Sequence, residues 1–428
     1  MSVRLNLPEM NGNAKHVAMV SSVFPPETVV AGRMAAEVAA RLVQLGHKVS
    51  VISPYPSRLG TLPKGACKNG RTLKVEDKDG FALYRVASTT APESKLWPRM
   101  RESWSFGRCA ARILESQIDR PDVVYEMAWP MLAQAWVSQC SARLGVPRVT
   151  HIQDIYPESA LRRIPACFIA GVGPPLKWLD RINARRAVKV IVVSENMRRT
   201  YEATRGILPQ KLEIVETWQD EEPFLRLPDR NEAALHYKTS ATAFTFMYLG
   251  NIGAVAGVEH LIRSFAAAKL EGAQLLIAGE GSQKEACIRL ATDMKAPIYF
   301  ISDPDVKKVP LLQSLGDICL LPVKRGAAFF SIPSKLSAYM LSAKPVLASV
   351  DSDSDSAKLI SKAKCGWIIE PEDVEAMAAK MRELRTIETG RLAAIGHSGR
   401  AYALERLTKG RCAGKLVRII VEAAQARG

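Results

Sequence analysis

Lys335 follows Pro333 and Ser334, where a helix is expected to open ahead of a buried strand at 345–348. Pro333 suits a helix start, because its missing N–H would have had no intrahelical partner. Ser331 and Ser334, close to either side of Ile332, can each offer a capping oxygen to the first free amides. A helix start aimed out of a parallel sheet gathers unpaired N–H groups and partial positive charge, so it attracts phosphate. Lys335 puts a full charge where the dipole disfavours it, at a cost of up to roughly 1 kcal/mol, which an anion seated there would offset. The alternative is a surface lysine on an ordinary αβ unit.

Two further sets of residues could do chemistry. His151 and Gln153 share one face of an expected strand at 148–153, since side chains alternate, and Asp154 follows at its end. Gly32 could let a ligand phosphate or the other domain come close. Gly250, Asn251 and Gly253 make a Gly-bounded loop after an expected strand, and Gly279 stands in the turn after the next one. For Gly32, just inside its helix, packing and ligand approach are both open.

These residues need a scaffold. A chain of 428 residues is too long for one ordinary core, and two domains of roughly 200 residues are expected. The formal net charge of +16 points to an anionic partner: nucleic acid, a membrane surface or a phosphorylated substrate. No recognised nucleic-acid motif accompanies that charge, so nucleic acid is not expected. The eight cysteines include no CxxC pair and read as reduced core residues of a cytosolic protein. There is no apolar signal core in residues 1–15 and no membrane-length apolar run, so membrane contact is expected to be peripheral.

Along the chain, apolar runs at 16–22, 48–53, 80–86, 122–125, 148–153 and 190–195 are expected as strands, with a helix over 31–45 closed by Gly46. Between 93 and 115, Lys95, Arg99, Arg101, Arg108 and Arg112 interleave with Leu96, Trp97, Met100, Trp104 and Phe106. That mixture suits an interfacial helix, or a helix whose aromatics face its own core. The pattern breaks between 216 and 244, and the domain boundary is placed there. Strands then recur at 244–250, 274–278, 298–301, 318–321 and 346–348, with helices at 257–269, 372–386 and 411–426. The expected fold is α/β: two Rossmann-like, doubly wound domains facing a cleft, residues 1–225 and 226–410, with a closing helix in 411–428.

No GxxxxGK[ST] loop, clean GxGxxG fingerprint or metal-spaced His/Cys set is present. Nucleotide-sugar transfer fits the loops best. A metal-free transferase would neutralise a departing diphosphate with helix N-termini and basic side chains.

Several stretches recur in order: Phe24 to Glu27 with Gly46-His47, Gln153 to Glu158, Val193 to Glu195, Glu216 to Asp220, Tyr248 to Gly253, Ala278 to Gly281, Pro333-Ser334-Lys335 and Lys344 to Val346. In these the chain resembles the GT-B glycosyltransferases of family 4, within them the bacterial enzymes of surface-polysaccharide and lipid-linked oligosaccharide assembly that carry Pro-Ser-Lys. The resemblance implies a retaining glycosyltransferase without cofactor or metal. Its donor would be a nucleotide-diphosphate sugar, usually UDP-linked, with an N-acetylamino-deoxy sugar one candidate. It would be held by the C-terminal domain: Gly250, Asn251 and Gly253 on the diphosphate side, Ser331 to Lys335 on the sugar and phosphates. His151 to Asp154 would face the transferred sugar, and the helix in 411–428 would cross back onto the N-terminal domain. The acceptor would be a lipid-linked saccharide, the enzyme lying in the cytoplasm at the anionic inner face of the cell membrane.

The chain departs from the family where many relatives carry two Glu seven residues apart; here Phe330 and Ala338 stand. Lys335, Lys324 or Arg325 could take over the charge, and Gln153 replaces a frequent His. These departures keep two rivals in play: a nucleotide-sugar 2-epimerase on the same fold and a non-catalytic GT-B partner subunit.

Overall fold

The computed structural model describes residues 14–27, 29–56, 72–86, 88–89, 96–128, 131–161, 166–302, 306–327 and 333–425. Two compact units divide the chain: residues 1–216 with 410–428, and residues 217–409.

The first unit runs β1 (His16–Ser21), α1 (Val30–Gln44), β2 (Lys48–Pro54), β3 (Thr72–Lys78), β4 (Phe81–Val86), α2 (Leu96–Ser116), β5 (Val123–Ala128), α3 (Met131–Leu144), β6 (Arg148–Ile152), α4 (Glu158–Leu161), α5 (Ala166–Arg186), β7 (Lys189–Val192), α6 (Glu195–Thr200) and β8 (Leu212–Ile214). A π-helical turn, Tyr201–Arg205, continues α6. The strands order as β3-β4-β2-β1-β5-β6-β7-β8. Each named pair is parallel except β3 with β4, which is antiparallel.

The second unit runs α7 (Arg230–Tyr237), β9 (Phe244–Leu249), α8 (Val258–Ala268), β10 (Ala273–Ala278), α9 (Lys284–Met294), β11 (Ile298–Ile301), α10 (Val309–Ser314), β12 (Ile318–Pro322), α11 (Lys335–Leu341), β13 (Val346–Ser349), α12 (Asp355–Ala363), β14 (Gly366–Ile369), α13 (Val374–Arg385) and α14 (Thr389–Arg406). Its parallel sheet orders as β11-β10-β9-β12-β13-β14. Helix α15 (Lys409–Gln425) belongs almost wholly to the first unit, where Lys415 donates to the Ile214 carbonyl at 2.7 Å.

The strands form because continuous apolar runs can be buried on both faces of a parallel sheet. Every residue of β1 and β10 is buried. Helices α8 and α13 close one face of the second sheet around Phe246, Leu261 and Met381, and α11 and α12 close the other around Leu336, Tyr339 and Ile360. In each sheet the first strand lies between the second and a much later one. That is the switch point at whose carboxyl edge a crevice opens and ligands bind in open α/β sheets.

Two details differ from expectation. The units divide near residue 216 and not at 225. Phe224 is buried in the second unit's core beside Tyr339 and Leu407, and the Gln219 amide donates to the Leu407 carbonyl. Ser334 does not cap α11, because it has already entered the helical conformation at φ −60°, ψ −21°, and its side chain accepts no amide. Of the described cysteines, Cys140, Cys287, Cys319 and Cys365 are free and buried, and Cys109 and Cys412 are buried.

Candidate active site

In the second unit the loops leaving β9 and β10 lie against each other. The Gly250 amide donates to the Ala278 carbonyl at 3.0 Å, and the Ile252 amide to the Glu280 carbonyl at 2.8 Å. Glycine makes this approach possible. A Cβ on Gly279 would fall 2.0 Å from the Gly250 oxygen, and one on Gly281 would fall 2.3 Å from the Ile252 oxygen. Gly250 and Gly279 also hold φ of 151° and 137°, which L side chains seldom adopt.

Lys335 reaches this junction from α11. A Cβ on Gly250 would lie 2.9 Å from its Cε and 3.0 Å from its Nζ. The Nζ donates to the Tyr248 hydroxyl at 2.7 Å and stands 4.2 Å from that ring's centroid. The hydroxyl in turn donates to the Asn251 carbonyl at 2.7 Å. One turn on, Tyr339 both accepts from the Leu249 amide at 2.9 Å and donates to its carbonyl. Residues four apart share a helix face, so α11 is fixed to the end of β9 at two points. Burial pulls the Lys335 amine down to about 7, so it is poised between charged and neutral forms near neutral pH.

Lys324 lies after β12, where its amide donates to the Val255 carbonyl, and its amine pairs with Glu259 at 3.1 Å. Arg325 pairs with Glu370 at 3.7 Å. Both charges have carboxylate partners, whereas the Lys335 amine meets the hydroxyl and ring of Tyr248. Gly253 lies 3.0 Å, by its missing Cβ, from the Asn251 amide nitrogen. Ala338 belongs to the core. Ser331, Ile332 and Phe330 fall outside the described residues.

In the first unit, Asp154 stands two residues beyond β6 and is half-buried. Burial pushes its carboxyl up to about 6. His151 is different. Its ring is fully buried, with Nδ1 2.9 Å from the Tyr125 hydroxyl and Nε2 without a hydrogen-bond partner. Desolvation lowers it to about 4, so it is neutral at pH 7. The role expected of His151 is therefore corrected: a ring with no exposed surface is a core group and does not meet substrate. Gly32 is buried, and a Cβ there would meet the Glu27 oxygen and Phe24 Cα at 3.4 and 3.5 Å. That is ordinary contact with the loop after β1, and packing accounts for it.

The loop that bears Asp154 is gripped by Arg205, a fully buried side chain. Its Nη1 and Nη2 fork onto the two Glu158 oxygens at 2.8 and 2.7 Å, and Nη2 also donates to the Tyr156 carbonyl at 2.8 Å. Nε donates to Asp180 on α5, and Nη1 to Thr204. Burial opposes charge on Glu158, but the hydrogen bonds and charge of Arg205 outweigh it and the carboxyl sits below its ordinary value. Arg85 does similar work at the ends of β1 and β2, donating to the carbonyls of Pro25 and Pro54. Sequence reasoning passed over Tyr248, Tyr339 and Arg205 as site residues. No motif or spacing in the sequence marks them as such.

Glycosyltransferase Family 4 matches residues 31–222, and Glycosyl transferases group 1 matches residues 243–386. The chain belongs to glycosyltransferase family 4. Its architecture is that of solved GT-B glycosyltransferases. Among family relatives it is similar to the probable glycosyltransferase WbjE of Pseudomonas aeruginosa, 21% identical over 73% of this chain and 80% of that protein. It is also similar to the putative colanic acid biosynthesis glycosyl transferase WcaI of Escherichia coli K12, 22% identical over 84% of this chain and 89% of that protein. Among structures, HepE from Anabaena in complex with UDP and glucose superposes with a TM-score of 0.69 at 13% identity, covering 95% of this chain and 100% of that one.

The family assignment makes the chain a glycosyltransferase. Among the described residues no group of three or more His, Cys, Asp or Glu side chains is placed to hold a metal ion. No described helix is long and apolar enough to cross a membrane.

Proposed function

We propose that this enzyme is a retaining glycosyltransferase that moves a sugar from a UDP-linked donor to a lipid-linked saccharide during assembly of a cell-surface polysaccharide. The observation that carries the donor half is Lys335 at the Gly250–Gly279 junction, its amine on Tyr248 and without a carboxylate partner among the contacts described above. A diphosphate oxygen there would take a charge-assisted hydrogen bond worth about 1.5–3 kcal/mol. In the retaining step the bond from the anomeric carbon to the phosphate oxygen breaks and its electron pair leaves with the phosphate. The acceptor oxygen attacks from the same face, and its proton passes to that phosphate oxygen. Lys335 stabilises the developing diphosphate charge, and Asp154 meets the transferred sugar. The UDP complex of HepE supports the donor, and the likeness to a putative colanic acid biosynthesis glycosyl transferase supports the process.

The acceptor half rests on α2. Trp97, Arg101, Trp104, Arg108 and Arg112 are all exposed and recur at helical spacing along one stripe, while Phe106, Ile113 and Leu114 are buried on the other side. Trp97 is 75% exposed. A stripe of tryptophan and arginine suits the headgroup region of an anionic leaflet, at the cytoplasmic face of the membrane, where each basic residue adds about 1 kcal/mol.

A thermal-shift screen of UDP, GDP, ADP and TDP, with and without EDTA, tests the donor. A ligand at about 100 times its Kd adds about 2.7 kcal/mol, so UDP alone is expected to raise the Tm, equally in EDTA. No shift with any nucleotide would sink the donor reading. Phosphatidylglycerol vesicles at low salt are expected to sediment the protein, and Trp97→Ala with Trp104→Ala to release it; indifference of the wild type to those vesicles would refute the membrane contact.

A further inference from the structure

We propose that Arg205 is the positioning residue of the Asp154 loop, acting on transfer through that loop without touching substrate. It rests on the reading that Asp154 meets the sugar.

The geometry is unusual for an arginine away from a ligand. All five of its N–H groups have acceptors: the two Glu158 oxygens, the Tyr156 carbonyl, Asp180 and Thr204. Two of those acceptors lie two and four residues after Asp154: Tyr156 on the short segment after β6, and Glu158 at the first residue of α4. The other end of the grip is on α5 through Asp180, whose second oxygen accepts from the Tyr201 hydroxyl at 3.3 Å. Arg205 itself is delivered by the π-helical turn Tyr201–Arg205, an irregularity common at functional sites. A guanidinium is a rigid planar fork, so it fixes a carboxylate in direction as well as distance. Lysine could keep the charge but not that fork. Among the described residues the Asp154 side chain makes no hydrogen bond of its own, so the backbone through Tyr156 and Glu158 carries its placement. A displacement on the order of 1 Å at a reacting group can cost about 100-fold in rate.

The test uses Arg205→Lys, Glu158→Gln, Asp154→Asn and the Arg205→Lys/Asp154→Asn pair in the full chain. The first readout is amide hydrogen exchange of the 153–161 peptide, which needs no substrate. Both Arg205→Lys and Glu158→Gln are expected to speed it by about tenfold, with the β1 peptide unchanged. The second is UDP release from UDP-glucose and UDP-N-acetylglucosamine with water as acceptor. Arg205→Lys is expected to lower kcat by about 10- to 100-fold with KM for the UDP-sugar unchanged. The double variant should be no slower than Asp154→Asn alone, because the two act as one unit.

Unchanged exchange in both loop variants overturns the proposal, whatever the substrate. Losses that multiply in the double variant also overturn it, since Arg205 would then act independently of Asp154. Wild-type kcat in Asp154→Asn would instead remove Asp154 from the reaction, and the assigned role with it. Glu158 is partly exposed, so Glu158→Gln keeps the test in hand if Arg205→Lys fails to fold.

Discussion

The carboxyl-edge loops of the two units are held by opposite means. In the second unit, backbone meets backbone across Gly250, Gly279 and Gly281, with no room for a methyl group at either of the last two. In the first, charged side chains reach up to carbonyls: Arg85 to Pro25 and Pro54, Arg205 to Tyr156. Glycine junctions bring amides close to whatever binds and leave little to titrate. The hold of Arg205 also depends on keeping the Glu158 and Asp180 carboxylates charged.

The largest expected effect breaks the second arrangement. Gly279→Ala drives a Cβ to 2.0 Å from the Gly250 oxygen, and the clash and the strained backbone should together cost at least about 3 kcal/mol. Denaturant unfolding should show that loss, and UDP should no longer raise the Tm. A full wild-type Tm would mean the junction is looser than its contacts imply. Next is Arg205→Met, which leaves Glu158 and Asp180 without their shared cation. Stranding buried charges in this way costs about 3–5 kcal/mol, and the same denaturant experiment reads it.

Lys335 sharpens the comparison through pH. With its amine at about 7, UDP affinity should weaken as pH rises above 7 and the proton is lost. Lys335→Met should weaken UDP by roughly 10- to 100-fold at pH 6.5, matching the charge-assisted bond, and flatten that pH dependence. Calorimetry across pH 6 to 9 distinguishes the outcomes, and an unchanged slope in the variant would assign the titration elsewhere. Stability has the opposite sign. The unfolded lysine holds its proton to about pH 10.4, so between 7 and that value the unfolded chain binds more protons and this group's contribution to stability rises with pH. Asp154, raised to about 6, binds its proton more readily when folded, so its contribution declines as pH climbs from about 4 to 6. Turnover should rise across that same window if the ionised carboxylate meets the sugar.

The smallest effect is a control. Gly32→Ala meets only ordinary contacts and should leave stability unchanged or raise it by up to about 1 kcal/mol. Lost activity in a protein so stabilised would restore a ligand role for Gly32.

Much of the fold was legible because a strand buried on both faces is written as an uninterrupted apolar run, as in Ala273–Ala278. The strand Thr72–Lys78 was not, since it alternates charged residues at the sheet's edge and looks like a loop. Helix α5 carries Pro174 and Pro175 inside it, which hid its length. At the site, the glycines were legible because few residues but glycine allow such turns. Lys335 was legible by its spacing, yet Ser334 fails to cap it and the lysine meets a tyrosine. Arg205 was hidden for a different reason. Arginine usually marks a surface, and only tertiary structure brings Glu158, Asp180 and Arg205 together.

The buried cysteines carry a consequence for following this enzyme at work. Burial pushes the thiols of Cys140, Cys319 and Cys365 up to about 12 and that of Cys287 to about 11. A thiol so protonated and enclosed reacts with an alkylating reagent only when its surroundings open. Cys140 lies in the first unit, and Cys287, Cys319 and Cys365 in the second. Each unit therefore carries its own chemical clock, and the order in which these sulfurs are captured would reveal which half of the enzyme breathes first.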